Sequence, residues 1–144
     1  MADQFPKKVS EFTLKRRVAF YETDAAGIVH FSCFLRYMEE AEHALWRSAG
    51  LSVAPPESEY GWPRVAVTGE FRSPLRFEDE FEARIRIVAT TDKSIRYECV
   101  LTRDDVHIAT LTMTSVCVAK ATGRATPLPA AVRERLEVSD DVVA

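Results

Sequence analysis

The hydrophobic and polar positions of this chain change period twice, and those changes mark out its elements. From Glu11 to Tyr21, apolar Phe12, Leu14, Val18 and Phe20 are set against Lys15, Arg17 and Ala19, the period-two pattern of a half-buried strand. Glu22 to Gly27 then reads as a turn, with Asp24 and Gly27 as its residues of unusual dihedral angle. After it the period lengthens. From about Ser32 to Ala49 a helix is expected, with Phe31, Phe34, Leu35, Met38, Glu42 and Leu45 along one face and Tyr37, Ala41, Ala44 and Ser48 along another. Such a helix can be covered on several sides. Arg47 in its last turn and Gly50 just past it are ordinary stop signals.

Beyond the helix, Leu51 to Pro63 is rich in proline and reads as a loop. Four alternating runs follow: Arg64 to Phe71, Glu80 to Ala89, Ser94 to Thr102, and Val106 to Ala119, with breaks at Ser73-Pro74, Thr91-Asp92-Lys93 and Arg103-Asp104-Asp105, and Gly123 beyond the last. Alternation of this kind suits an antiparallel sheet with one solvated face. Residues 1–10 are polar and expected to be frayed, and 128–138 can form a short helix behind Pro127 and Pro129. One strand, one long helix and four strands make an α+β chain. A sheet curled around the helix is one way to bury both, and spacing alone allows others.

Composition narrows the classes. With 144 residues, 47% of them hydrophobic, the chain suits a single domain with a real core, spanning 1–144. A net charge of -3 with scattered basic residues argues against a nucleic-acid partner, which needs a clustered basic face. Three widely spaced cysteines, Cys33, Cys99 and Cys117, sit in apolar runs, as free buried thiols do in a reducing, cytoplasmic setting. Nothing resembles a signal peptide or a membrane span, so a soluble protein is expected. There is no G-x-S-x-G elbow, no zinc-spaced Cys/His cluster, no H-E-x-x-H and no Gly-rich phosphate loop, which leaves no metal site and points to cofactor-free chemistry.

The stretch that carries chemistry is the junction of first strand and helix. There a carboxylate, Asp24, stands just before a helix N-terminus, whose first N–H groups lack intrahelical partners and can hold a developing oxyanion. The same aspartate can also be a turn residue that bonds its own backbone. In order, Tyr21, Thr23, Asp24, Ala25, Ala26, Gly27, Ile28, Val29, His30 and Phe31, then Tyr37 and Glu39, match a signature: an aromatic residue, a T-D pair, two small residues, Gly, two apolar residues, and aromatic or His positions opening a helix. On these residues the chain resembles the 4-hydroxybenzoyl-CoA thioesterase family.

That resemblance implies the hotdog fold, a five-stranded antiparallel sheet wrapped around a long central helix. It implies hydrolysis of an acyl-CoA thioester to free acid and CoA. Asp24 would be nucleophile or general base, the Phe31 backbone amide the oxyanion donor, and Gly27 the residue that lets the chain approach the thioester. His30 faces the acyl group in this reading, although the family's bacterial members place His at the position of Phe31. Cys33 also departs, standing where the family usually has Asn. Glu39 is the runner-up base, because sibling enzymes put their carboxylate on this helix, while Glu40 and Glu42 would be solvated or paired with Arg36 or Arg47. Lys93 and Ser94 resemble the family's basic-Ser pair at the CoA phosphates, with Arg96 and Arg72 as further cations.

The family pairs protomers edge to edge into dimers and then tetramers, so the expected partners are the acyl-CoA and further copies of the chain. Sites would fall between subunits, with residues 60–67 lining the partner's pocket, and Phe31, Phe34, Tyr37, Tyr60 and Trp62 are candidates for an aromatic acyl pocket. Two other readings stand beside hydrolysis. One is a non-catalytic acyl-CoA-binding protein. The other, a dehydratase or hydratase of the same fold, is disfavoured because Ser32 follows His30-Phe31 where those enzymes have Pro, and Ala44 occupies the place of their acid.

Overall fold

The computed structural model describes residues 8–140. The first strand, β1 (Glu11–Arg17), leads through a 3-10 turn at Phe20–Glu22 to the long helix α1 (Phe31–Ser48). Then come β2 (Tyr60–Gly61), β3 (Arg64–Phe71), β4 (Glu80–Thr90), β5 (Ser94–Arg103), β6 (Val106–Val116), β7 (Val118–Ala119), β8 (Arg124–Ala125) and α2 (Ala130–Arg135). The main sheet has the order β1-β4-β5-β6-β3 and is antiparallel at every pairing. β2, β7 and β8 form a small separate ribbon. This is the hotdog arrangement that the strand-helix motif implied.

Alternation explains which face is buried. Phe81, Ala83, Ile85 and Ile87 of β4, Ile95, Tyr97, Cys99 and Leu101 of β5, and Ile108, Leu111 and Met113 of β6 point inward. There they meet Phe34, Tyr37, Met38, Ala41, Leu45 and Trp46 of α1 in one hydrophobic cluster. A one-residue slip in any central strand would turn its apolar set outward, so the register is strongly specified. α1 is closed just past its last residue by Gly50, whose φ of +76° accepts the left-handed turn, with Gly50 N–H on Arg47 O at 2.9 Å and Leu51 N–H on Trp46 O at 2.9 Å.

Several boundaries differ from the sequence reading, each for a local reason. β1 stops at Arg17 rather than Tyr21, because Val18 N–H turns to Asp79 O and Ala19 then starts the 3-10 turn. The run to Ala119 is split at Cys117, whose N–H goes to Lys93 O; past Val116, which pairs with the first residue of β5, the chain crosses to the ribbon. The proline-rich loop contains β2. Residues 1–7 of the expected frayed segment lie outside the described residues. Val9 and Ser10 are tied down, Val9 N–H to Arg135 O, Glu137 N–H to Val9 O and Ile87 N–H to Ser10 O. The short C-terminal helix is present over a narrower span, Ala130–Arg135.

The two edges of the main sheet are unlike. The exposed positions of β1 are Glu11, Thr13, Lys15 and Arg17, which discourage pairing with another strand. β3 instead exposes Val65, Val67 and Phe71, and Leu35 and Phe31 of α1 are exposed as well. An unpaired apolar edge strand is a template for a second chain.

Candidate functional site

The loop from Thr23 to Val29 is held on both flanks. Thr23 and Val29 form an antiparallel bridge, Asp24 N–H bonds Ile28 O at 2.8 Å, and Val29 N–H bonds Leu75 O at 2.8 Å, while Ile28 bridges Arg76. Gly27 sits at φ +82° and its N–H bonds Asp24 O at 3.0 Å, so glycine is needed for the turn itself. A side chain there would meet nothing within 4 Å, so within one protomer the residue is not making room for a close contact. Asp24 is not among the residues with positive φ, contrary to the sequence expectation.

The Asp24 carboxylate does what a turn aspartate does, and keeps capacity to spare. Its Oδ1 accepts the Ala26 N–H at 2.8 Å and lies 3.4 Å from Ile28 N. Oδ2 makes no hydrogen bond among the described residues, and the residue is half-buried. One oxygen is therefore fixed by the loop and the other is free for chemistry.

At the head of α1, His30 is the N-cap. Its Nδ1 accepts Ser32 N–H at 3.2 Å and lies 2.8 Å from Ser32 Oγ, and its ring stacks on Phe31 at 4.6 Å. With Nδ1 as acceptor, the neutral ring carries its proton on Nε2. His30 thus has a structural duty that is independent of any contact with an acyl group. The next donors are Phe31 N–H and Cys33 N–H. Cys33 N–H is spent on His30 O at 2.9 Å, whereas Phe31 N–H has no acceptor among the described residues. The Phe31 residue is exposed.

The other site candidates are scattered by the fold. Glu39 is more than half exposed and lies 3.4 Å from Arg64 of the same chain. Glu40 and Glu42 take their arginine partners from strands and not from the helix: Glu40 pairs with Arg16 of β1, and Glu42, only 1% exposed, with Arg64 of β3. Arg36 and Arg47 are not their partners. Lys93 is an exposed turn residue, and Ser94 Oγ is engaged with Thr91 Oγ1 at 2.6 Å. Arg96 is exposed on the outer face of the sheet, and Arg72 pairs with Glu70 at 3.0 Å. Lys93 precedes β5 and Ser94 opens it, whereas the Asp24 loop is joined to residues 75 and 76 beside the start of β4. These are opposite ends of the sheet, separated by a strand about 30 Å long. One protomer does not bring them together.

Among the aromatic candidates, Phe34 and Tyr37 belong to the core, and Trp62 packs edge-on against Trp46 at 5.0 Å. Exposed aromatic surface lies instead at Phe20, Tyr21, Phe31, Phe71 and Phe77, with Phe20 against Phe77 at 5.4 Å. A cleft of about 550 Å³ is lined by Lys15, Arg16, Arg17, Glu80, Glu82 and Asp104 among others, and Asp24 is not part of its wall. Burial pushes the Cys99 thiol up to about 12 and raises Cys117 as well, so neither is a thiolate nucleophile. Among the described residues no group of three His, Cys, Asp or Glu is placed to hold a metal, and no helix is long and apolar enough to cross a membrane.

A residue that the pattern did not single out is Glu22, buried in the 3-10 turn. Its carboxylate accepts Arg16 Nη1 at 2.9 Å and Nη2 at 2.6 Å, Ala19 N–H at 2.7 Å and Tyr37 Oη–H at 3.0 Å. The one available signal was its place three residues after Ala19, from which a glutamate reaches back to that backbone N–H. Burial acts to raise its pKa, but the Arg16, Ala19 and Tyr37 donors together outweigh burial and hold it below the ordinary value. A carboxylate depressed in the folded state contributes stability above its unfolded pKa, and that contribution is lost as pH falls through the folded value. Urea unfolding at a series of pH values below about 4.5 should therefore show a shallower acid limb for Glu22→Gln than for the wild type. Parallel limbs would remove Glu22 as a source of acid sensitivity.

With the geometry in place, comparison with known proteins is informative. The family profile of the thioesterase-like superfamily matches residues 18–136. The chain belongs to this superfamily. A protein of Aquifex aeolicus (strain VF5), provisionally named an esterase, is 33% identical over 132 residues, covering 90% of this chain and 98% of that one. A 1,4-dihydroxy-2-naphthoyl-CoA hydrolase of Synechococcus elongatus is 24% identical over 136 residues, covering 92% of this chain and all of its own. The solved structure of a gentisyl-coenzyme A thioesterase superposes with a TM-score of 0.78 at 30% identity, covering 85% of this chain and 99% of that one. The matched span in the superfamily profile opens at Val18, at the end of β1, and includes the Asp24 loop, α1 and all later strands of the main sheet.

Proposed function

We propose that this thioesterase hydrolyses aromatic acyl-CoA thioesters, with Asp24 as its acid residue and the Phe31 amide as its oxyanion donor. The observation that carries this reading is the pairing, on one loop-helix junction, of a carboxylate Oδ2 and an N–H that both lack a hydrogen-bond partner among the described residues. As the thioester carbonyl becomes tetrahedral, its oxygen gains charge that the Phe31 N–H stabilises, aided by the positive end of α1; one such donor is worth about 10²–10³ in rate. Asp24 either attacks the acyl carbon, giving a mixed anhydride that water opens, or takes the proton of an attacking water. Either way the CoA thiolate leaves, and no further cofactor takes part.

An aromatic acyl group is favoured by the exposed rings of Phe20, Tyr21 and Phe31, which flank the loop in sequence, and of Phe77 against Phe20, and by the substrates in the names of two relatives. Thiol release from benzoyl-, gentisyl- and 1,4-dihydroxy-2-naphthoyl-CoA should exceed that from hexanoyl- and palmitoyl-CoA at least tenfold in kcat/KM, roughly the discrimination one apolar contact supplies. A preference for the aliphatic thioesters would overturn the aromatic assignment.

The site is completed by a second copy. Pairing of two β3 edges about a two-fold axis would bury Val65, Val67 and Phe71 and set opposite ends of the two sheets side by side. The partner's Lys93, Ser94 and Arg96 would then reach the CoA phosphates at this protomer's Asp24, and the partner's residues 60–67 would wall the acyl pocket. Light scattering should give at least twice the chain mass; a monomer that retains full activity would overturn this assembly of the site.

A further inference from the structure

We propose that Glu22 is a positioning residue that sets Asp24 against the Phe31 amide. The proposal rests on the reading of those two groups given above and adds a residue to it. Glu22 lies two positions before Asp24 and is 5% exposed. Its side chain takes donors from three separate pieces of the fold: Arg16 of β1, Ala19 at the start of the 3-10 turn, and Tyr37 at the end of the second turn of α1. Its backbone carbonyl takes two more, the His30 N–H at 2.8 Å and the Cys33 Sγ–H at 3.6 Å. His30 immediately precedes Phe31. One residue therefore ties the strand entering the loop, the loop, and the helix leaving it.

The chemistry of the contacts favours a geometric role over simple space filling. Burying a carboxylate is costly unless donors surround it, and an apolar residue of similar size would fill the same volume without that cost. What the carboxylate adds is direction, because each of its oxygens accepts from partners in fixed positions. Arg16 is itself clamped, with Nε on Glu40 Oε1 at 2.9 Å, Nη2 on Glu40 Oε2 at 3.0 Å, and its guanidinium 4.8 Å from the centre of the Tyr37 ring. From this anchored point the chain enters the loop through the Thr23–Val29 bridge, so the place of Asp24 is set relative to the helix head. An offset between acid and oxyanion donor is felt when both act on the same transition state, and much less when substrate merely binds.

The test uses the full chain, with benzoyl-CoA or the panel member cleaved fastest, and rates expressed per folded molecule. Glu22→Gln keeps the size but presents an amide N–H₂ to groups that are themselves donors. Its kcat should fall about a hundredfold, the cost of an ångström-scale misplacement, with KM within about threefold. Tyr37→Phe removes one donor and no charge, and should lower kcat about tenfold, with KM likewise held. A merely structural role would raise the unfolded fraction and leave kcat per folded molecule unchanged. Asp24→Asn, run alongside, keeps the two ideas apart. If Asp24→Asn is inactive while folded Glu22→Gln turns over like the wild type, the positioning role is overturned and the reading of Asp24 survives. If Asp24→Asn is fully active, that reading fails first. Should Glu22→Gln not fold, Tyr37→Phe decides, and a wild-type kcat there overturns the proposal.

Discussion

Asp24→Asn is expected to lower kcat by at least about a hundredfold while leaving KM within a few fold, the pattern of a group that acts only in the transition state. The substitution is informative because it is nearly silent structurally. The asparagine carbonyl oxygen can still accept the Ala26 N–H that Oδ1 accepts at 2.8 Å, and the Thr23–Val29 bridge does not involve the side chain. What disappears is the charge on Oδ2, and with it both the attack on an acyl carbon and the uptake of a proton from water. The Phe31 amide is untouched, so residual activity should remain above the uncatalysed rate. Glu39→Gln is the internal contrast. Its carboxylate is exposed and engaged with Arg64, two helical turns beyond Phe31, and its neutralisation should leave turnover close to wild type. Unchanged turnover in Asp24→Asn, or a collapse in Glu39→Gln, would transfer the acid role from the loop to the helix.

The fold was legible where a local rule acts alone. Alternation identified β4 to β6, and a 3.6-residue period found α1 to within a residue of both ends, because one buried face dictates each pattern; β3 was found by its alternation too, although it is exposed along both faces in the protomer. The turn at Gly27 was legible too, since its φ of +82° favours glycine. Side-chain pairing across elements was not. Helical spacing suggested Arg36 and Arg47 for Glu40 and Glu42, but the partners are Arg16 and Arg64, each more than twenty positions away in sequence and brought close only by the packing of α1 on the sheet. Glu22 was missed for the same reason, since a glutamate in a turn ordinarily reads as solvated. The Lys93-Ser94 pair marks a complementary limit: its motif was recognisable, yet nothing in a linear motif reveals that a whole strand separates it from Asp24 in the same protomer.

Arg64→Met is expected to destabilise the protein by about 3 kcal/mol, the lower end of the range for stranding a buried charge. Arg64 opens β3 and reaches beneath α1, where Nη1 bonds Glu42 Oε2 at 3.0 Å and Ser115 Oγ at 2.8 Å, and Nη2 bonds Glu42 Oε1 at 2.5 Å. Glu42 is 1% exposed, so without the guanidinium its carboxylate is left buried without its main charged partner. Two features place the effect at the lower end. The Arg64 side chain is a quarter exposed, so solvent can enter the gap, and His43 Nε2 stands 3.6 Å from Glu42 Oε1 as a weak substitute partner. A loss of this size lowers Tm by roughly 10 °C in a chain of this length. The double substitution Glu42→Met/Arg64→Met decides the cause. If the loss reflects a stranded charge, removing both ends restores most of the stability, as replacement of buried ion pairs by apolar residues commonly does. If the double variant is no more stable than Arg64→Met, the loss comes instead from the Ser115 contact and from packing at the start of the edge strand. An Arg64→Met midpoint within about 3 °C of wild type, corresponding to less than about 1 kcal/mol, would mean that Glu42 finds water or a proton and that the pair contributes little.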